Sequence, residues 1–101
     1  MKYTSFDDFF SVLGNKHRVK IIQYLNSDGS KNVGEISRKL NLEQSVVSHS
    51  VKRLLLCHFV DVKQQGKERI YTINTDTVKP LFNLINKHVD TYCIKGCNHW
   101  E

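Results

Sequence analysis

The sequence predicts a mainly α-helical domain that carries one small β-hairpin. Apolar residues recur at helical spacing through most of the chain, and the period shortens to alternation only in FVDVKQQGKERIYTI, around a single glycine. At 101 residues, about 40% hydrophobic and 25% charged, the chain has material for one modest core. Residues 1–92 read as that domain, and 93–101 as a Cys/His-containing C-terminal tail.

The elements follow in order. SFDDFFSVLG places Phe6, Phe9, Phe10 and Leu13 at helical spacing, with Ser5 as a cap and Asp7 and Asp8 in the first turn, where the helix dipole favours acids. KHRVKIIQYL continues with Val19, Ile22 and Leu25 on one stripe, and NSDGS ends it with turn chemistry. NVGEISRKL opens with Asn32 three residues before Glu35, a capping-box variant, and turns Val33, Ile36 and Leu40 inward. Asn41 supplies the left-handed residue that a tight helix-to-helix turn requires.

The helix after it, EQSVVSHSVKRLLLC, buries Val47, Val51 and Leu54, and gathers Gln44, Ser45, Ser48, His49 and Lys52 on the opposite face. A merely solvated helix has little use for so many short hydrogen-bonding side chains. They suit a helix that enters a DNA groove and touches base edges and phosphates. Two strands follow, Phe59 to Gln64 and Arg69 to Ile73, around a Gly66 turn flanked by Lys63, Lys67 and Arg69. A basic hairpin directly behind a groove-reading helix is the layout of a winged helix-turn-helix. The last helix, from about Asp76 to Cys93, carries Val78, Leu81, Phe82, Ile85, Val89 and Tyr92 as an apolar stripe, with Pro80 in its first turn, where little hydrogen bonding is lost. Two Phe-rich or aliphatic stripes, one at each end of the chain, exceed what a single small core can bury. The surplus suggests a dimer, with closure of a monomeric core by the last helix as the alternative.

The charge distribution agrees. The formal net charge is +5, and residues 31–75 hold eight Lys/Arg against four Asp/Glu, so the excess sits where a polyanion would bind. Neither a signal peptide nor a run long enough to cross a membrane is visible, so a cytoplasmic protein is the expectation. Three cysteines in a reducing compartment favour ligand or redox chemistry over a disulfide framework. No Gly-rich phosphate loop, acid pair or nucleophile with a poised base stands out, so an enzyme is not expected.

Over roughly residues 6–92 the chain resembles the ArsR/SmtB family of small dimeric metal-responsive repressors. The matching stretches are LGNKHRVKIIQYL, VGEISRKLNLEQSVVS and QGKERIYTI, in the family's order and spacing. The resemblance implies a homodimeric repressor of duplex DNA with an imperfect inverted repeat, held together by its first and last helices. DNA contacts would come from Gln44, Ser45, Ser48, His49, Lys52, Lys63, Lys67 and Arg69, and the dimer face from Phe6, Phe9, Phe10, Leu81, Phe82, Ile85 and Val89. Two departures stand out: the recognition helix reads Ser48, His49, Ser50, Val51, and it closes on Cys57, His58, Phe59, Val60 where the family has a glycine at the second place.

The family's metal sites can be compared in turn. The thiolate site of the first motif helix needs a cysteine pair near Val33 to Ser37, and the zinc-type site on the last helix would fall on Thr75, Thr77 and Thr91 around His88; neither is present. The arrangement of the cadmium- and lead-sensing branch pairs recognition-helix cysteines with one from the tail. Cys57 matches the later of these, while the earlier falls at Arg53; the tail adds Cys93, Cys97 and His99. Three thiolates suit cadmium, lead or trivalent arsenic, and three thiolates with a histidine suit zinc. The expected function is therefore a repressor released by a thiophilic metal or metalloid. Two alternatives stay open: a thiol-redox or reactive-sulfur sensor on the same scaffold, and a winged-helix binding module without an effector.

Overall fold

Seven elements follow one another in the computed structural model, which describes residues 3–93. Helices α1 (Tyr3–Leu13), α2 (Lys16–Asp28), α3 (Val33–Leu40) and α4 (Gln44–Leu56) precede an antiparallel hairpin of β1 (Val60–Gln65) and β2 (Glu68–Ile73), and α5 (Val78–Tyr92) closes the chain. This is the mainly α, winged helix-turn-helix architecture that the residue pattern predicts.

Helix α1 begins two residues before Ser5, so Ser5 lies within it rather than capping it, and the first turn holds no acid. Val12 is fully buried, Phe9 stacks on Phe59 with centroids 5.1 Å apart, and Phe6 and Phe10 are 52% and 61% exposed. Asn15 then caps α2, accepting from the His17 and Arg18 amides at 3.0 and 3.1 Å. Arg18 reaches back to the end of α1, where Nε donates to the Val12 carbonyl at 2.8 Å and Nη2 to the Ser11 carbonyl at 3.1 Å. One side chain thereby satisfies the Val12 carbonyl that α1 leaves without a helical partner and adds a second donor to the Ser11 carbonyl, which also accepts from the Gly14 amide at 3.2 Å.

The helix-turn-helix is built from local chemistry. Asn32 and Glu35 form the reciprocal capping box, with Glu35 N donating to Asn32 Oδ1 at 2.8 Å and Asn32 N to Glu35 Oε1 at 3.0 Å. Asn41 adopts φ 55°, and the Leu42 amide returns to the Ser37 carbonyl at 3.1 Å, which turns the chain into α4. Ile21, Ile22 and Leu25 of α2, Ile36 of α3 and Val47, Val51 and Leu54 of α4 meet in the core. Burying each such side chain contributes about 1.5–3 kcal/mol.

Helix α4 ends in a Schellman motif. The His58 amide donates to the Leu55 carbonyl at 3.1 Å and the Phe59 amide to the Leu54 carbonyl at 2.9 Å, with His58 at φ 61° in the left-handed place. Phe59, expected to start the first strand, belongs to this turn, so β1 is shifted by one residue from the sequence reading, while β2 starts one residue earlier, at Glu68, and ends at Ile73 as read. The hairpin pairs Val60 with Ile73 through Gln65 with Glu68, leaving Gly66 (φ 64°) and Lys67 as a two-residue connection. Lys31 adds a further bridge, exchanging hydrogen bonds of 2.9 and 2.8 Å with Tyr71, and so fastens the hairpin to the start of α3.

Asn74 joins the hairpin to α5. Its Nδ2 donates to the His58 carbonyl at 2.8 Å, and its Oδ1 accepts from the Asp76 and Thr77 amides at 2.9 and 3.2 Å, which delays the helix to Val78 rather than Asp76. Helix α5 docks on α2 through Val78 and Phe82 and through Lys79 Nζ, which donates to Asn26 Oδ1 at 2.8 Å. One expectation is corrected here. Phe82, read as a dimer-face residue, is 3% exposed in the protomer's own core, whereas Leu84, outside the predicted stripe, is 65% exposed.

Candidate nucleic-acid interface

The recognition helix presents the face that its spacing predicts. Gln44, Ser45, Ser48, His49 and Lys52 are all exposed, while Val47, Val51 and Leu54 hold the opposite side in the core. The helix is therefore anchored along its length by apolar contacts, and its polar side chains project from a fixed surface.

The hairpin residues divide in two. Cross-strand pairing places Gln64 opposite Arg69 and Val62 opposite Tyr71, so Arg69 shares the sheet face that continues into the core, and its guanidinium carbon lies 5.9 Å from the Tyr71 ring centroid. Lys63, opposite Ile70, falls on the other face, and Lys67 sits at the exposed connection. The expected basic hairpin is thus two cationic places: a tip at Lys67, and Arg69 nearer the helices.

Arg69 joins a group that the sequence reading did not assemble. A cleft of about 890 Å³ lies between α3, α4 and β2, and its lining includes Asn32, Arg38, Ser48, Lys52, Glu68 and Arg69. Residues separated by up to 37 positions meet there because the Lys31–Tyr71 bridge holds β2 beside the first turn of α3. Arg38 and Glu68 carried no local signal that singled them out. Only their place across from Lys52 does.

The candidate thiol ligands are less assembled. Cys57 is half-buried at the C-cap of α4 and borders a small cleft with Ser5, Asp8, Phe9 and Phe59; Cys93 is half-buried at the C-cap of α5. Cys97 and His99 lie outside the described residues. Among the described residues no three His, Cys, Asp or Glu side chains come together as a metal site. Of the expected dimer-face residues, Phe6, Phe10 and Val89 are exposed, Phe9 and Ile85 are half-buried against the core, Leu81 is half-buried, and Phe82 is inside the core.

A polar helix face beside a cationic cleft and a hairpin, on a helix-turn-helix frame, defines a DNA-binding transcriptional regulator of the winged-helix class. The comparisons give the family. The profile of the bacterial regulatory protein arsR family matches residues 15–62, from the cap of α2 into β1. The transcriptional activator HlyU of Vibrio cholerae serotype O1 is 28% identical over 82 residues, covering 81% of this chain and 72% of that protein. Its reduced form, a solved structure, has a TM-score of 0.74 at 26% identity and covers 89% of this chain and 90% of that one. The transcriptional repressor PagR of Bacillus anthracis is 30% identical with a TM-score of 0.69, over 84% of this chain and 100% of that one. The homodimeric winged-helix domain Mb0332 of Mycobacterium bovis shares the fold with a TM-score of 0.82 at 21% identity, over 95% of this chain and 88% of that one. The chain belongs to the arsR family of bacterial regulators. Among its described residues no helix is long and apolar enough to cross a membrane.

Proposed function

We propose that the protein is a homodimeric repressor that binds an imperfect inverted repeat in duplex DNA and leaves it when a thiophilic metal or metalloid ion occupies Cys57, Cys93, Cys97 and His99. The observation that carries the dimer is the pair of apolar faces left exposed among the described residues. Phe6 and Phe10 of α1 and Leu84, Val89 and Tyr92 of α5 are each at least 43% exposed on a chain whose core is already filled. A second copy covering them places two recognition helices about one DNA turn apart, ~34 Å. The homodimeric state of Mb0332 supports this reading, and the repressor PagR, at 30% identity, favours repression over the activation for which HlyU is named.

Release rests on position. Cys57 ends the helix that reads DNA and Cys93 ends the helix proposed to hold the dimer, so an ion bound by both would couple groove reading to protomer orientation. Coupling of about 1–3 kcal/mol weakens DNA binding by roughly 5–150-fold. A second reading uses the same thiols without a metal: two thiols lose two electrons and two protons to a peroxide, which is reduced to water, and a disulfide forms. The reduced HlyU structure favours keeping this reading in view. The test is selection of the binding site from random duplexes, followed by titration of the reduced complex with cadmium and, separately, with hydrogen peroxide. Release by cadmium with thiolate-to-metal absorption, lost in Cys57→Ser, supports the metal reading. Release by peroxide alone supports the redox reading. Release by neither leaves an effector-independent regulator.

A further inference from the structure

We propose that the cleft between α3, α4 and β2 seats the sugar-phosphate strand that separates the two DNA grooves, with Arg38 as a backbone contact and Glu68 as a built-in brake on affinity. This rests on the DNA-binding reading and extends it to residues that reading did not use.

The geometry requires a strand there. A helix lying in the major groove and a hairpin reaching the neighbouring minor groove have one phosphodiester strand between them, so the protein surface joining helix to hairpin must be concave and cationic. The cleft of about 890 Å³ meets both conditions, with Lys52 from the recognition helix, Arg69 from the hairpin and Arg38 from α3 in its lining. Arg38 folds back along its own helix, where Nη1 lies 3.4 Å from the point a side-chain carbon on Gly34 would occupy. Glycine there leaves the guanidinium room against the first turn of α3. Leu56, in the same lining, is 68% exposed, a poor arrangement toward water but a suitable one toward a deoxyribose.

Glu68 is the anomaly. It places a carboxylate among these cations, and its Oε1 accepts a hydrogen bond from Asn32 Nδ2 at 2.9 Å. That bond needs an acceptor oxygen, which a glutamine also supplies, though without the charge assistance a carboxylate lends it. Toward a phosphate the charge is repulsive and offsets part of what one cation gains. The site therefore holds affinity below what its cations alone would give, and so eases release.

Two charge-only substitutions test this, read by fluorescence anisotropy with full-length protein on a generic duplex across a salt series. Arg38→Gln, which keeps the side-chain stem over Gly34, should flatten the slope of log K against log salt by about one unit. Glu68→Gln should bind about two- to fivefold tighter at low salt, the gain shrinking as salt rises. Circular dichroism melting of both variants checks that the fold is kept. An unchanged slope in Arg38→Gln, or binding no tighter in Glu68→Gln, overturns the inference while wild-type binding leaves the DNA reading standing. Wild-type protein that shows no salt-dependent binding overturns both.

Discussion

Replacing His58 by glycine should stabilise the protein. His58 holds φ 61° at the left-handed position of the Schellman motif that ends the recognition helix, and three hydrogen bonds keep it there: its own amide to Leu55, the Phe59 amide to Leu54, and Asn74 Nδ2 to its carbonyl. All three use backbone atoms of residue 58 or its neighbour, so glycine retains them. An L-residue in this conformation costs about 1–2 kcal/mol. Glycine removes that cost but loses about 0.5–1 kcal/mol through its freer unfolded chain. The net gain is about 0–1.5 kcal/mol, centred on ~0.8 kcal/mol. With an m-value of about 1.5 kcal/mol/M, the urea midpoint rises by about 0.5 M at the centre of that range and by at most about 1 M. Protein concentration must be fixed across variants, because dimerisation adds to apparent stability. His58→Ala is the control, since it deletes the imidazole and keeps the strained Cβ. Asn41→Gly is the second control: Asn41 has φ 55° but a side chain that tolerates it, so its midpoint should barely move. If His58→Gly is no more stable than His58→Ala, the left-handed backbone is not a source of strain and the reasoning fails.

Phe82→Ala should cost about 3–5 kcal/mol in denaturation, as for a buried phenylalanine, whereas Leu84→Glu or Tyr92→Glu should keep the protomer folded, lower its melting only by the dimer's contribution, and shift sedimentation toward the monomer. Arg18→Met should lose about 1–2 kcal/mol, because the Val12 and Ser11 carbonyls lose a charged donor while the apolar stem is kept. On DNA, Lys67→Ala should weaken all sequences alike, whereas Gln44→Ala or Ser48→Ala should change the selected sequence; identical base preferences in all three would reject the assignment of α4 to the major groove.

The helix-turn-helix was legible because its punctuation is local. The Asn32/Glu35 capping box, the left-handed Asn41 and the Gly66 hairpin turn each depend on side chains within a few residues, and each appears where the spacing placed it. The polar face of α4 was legible for the same reason: a 3.6-residue period assigns faces along one helix without reference to the rest of the chain. Even the consequence of replacing a glycine by His58 follows from backbone sterics alone. Element ends were less secure, because Asn74 and the Schellman turn at Phe59 take hydrogen bonds from segments that a reading along the chain does not pair.

Two matters were settled only by folding. Helix α5 has an apolar arc wider than the strip that touches α2, and periodicity cannot say which part of such an arc faces inward; docking through Val78, Lys79 and Phe82 decided it and left Leu84 outside. The cleft is the other. Arg38, Lys52, Glu68 and Arg69 belong to three elements with separate local patterns, and they face one another because Lys31 pairs with Tyr71 and draws the hairpin against α3. Local periodicity fixes which way a side chain points from its own element, but convergence between elements depends on long-range backbone pairing and core packing, which act only once the chain has closed on itself.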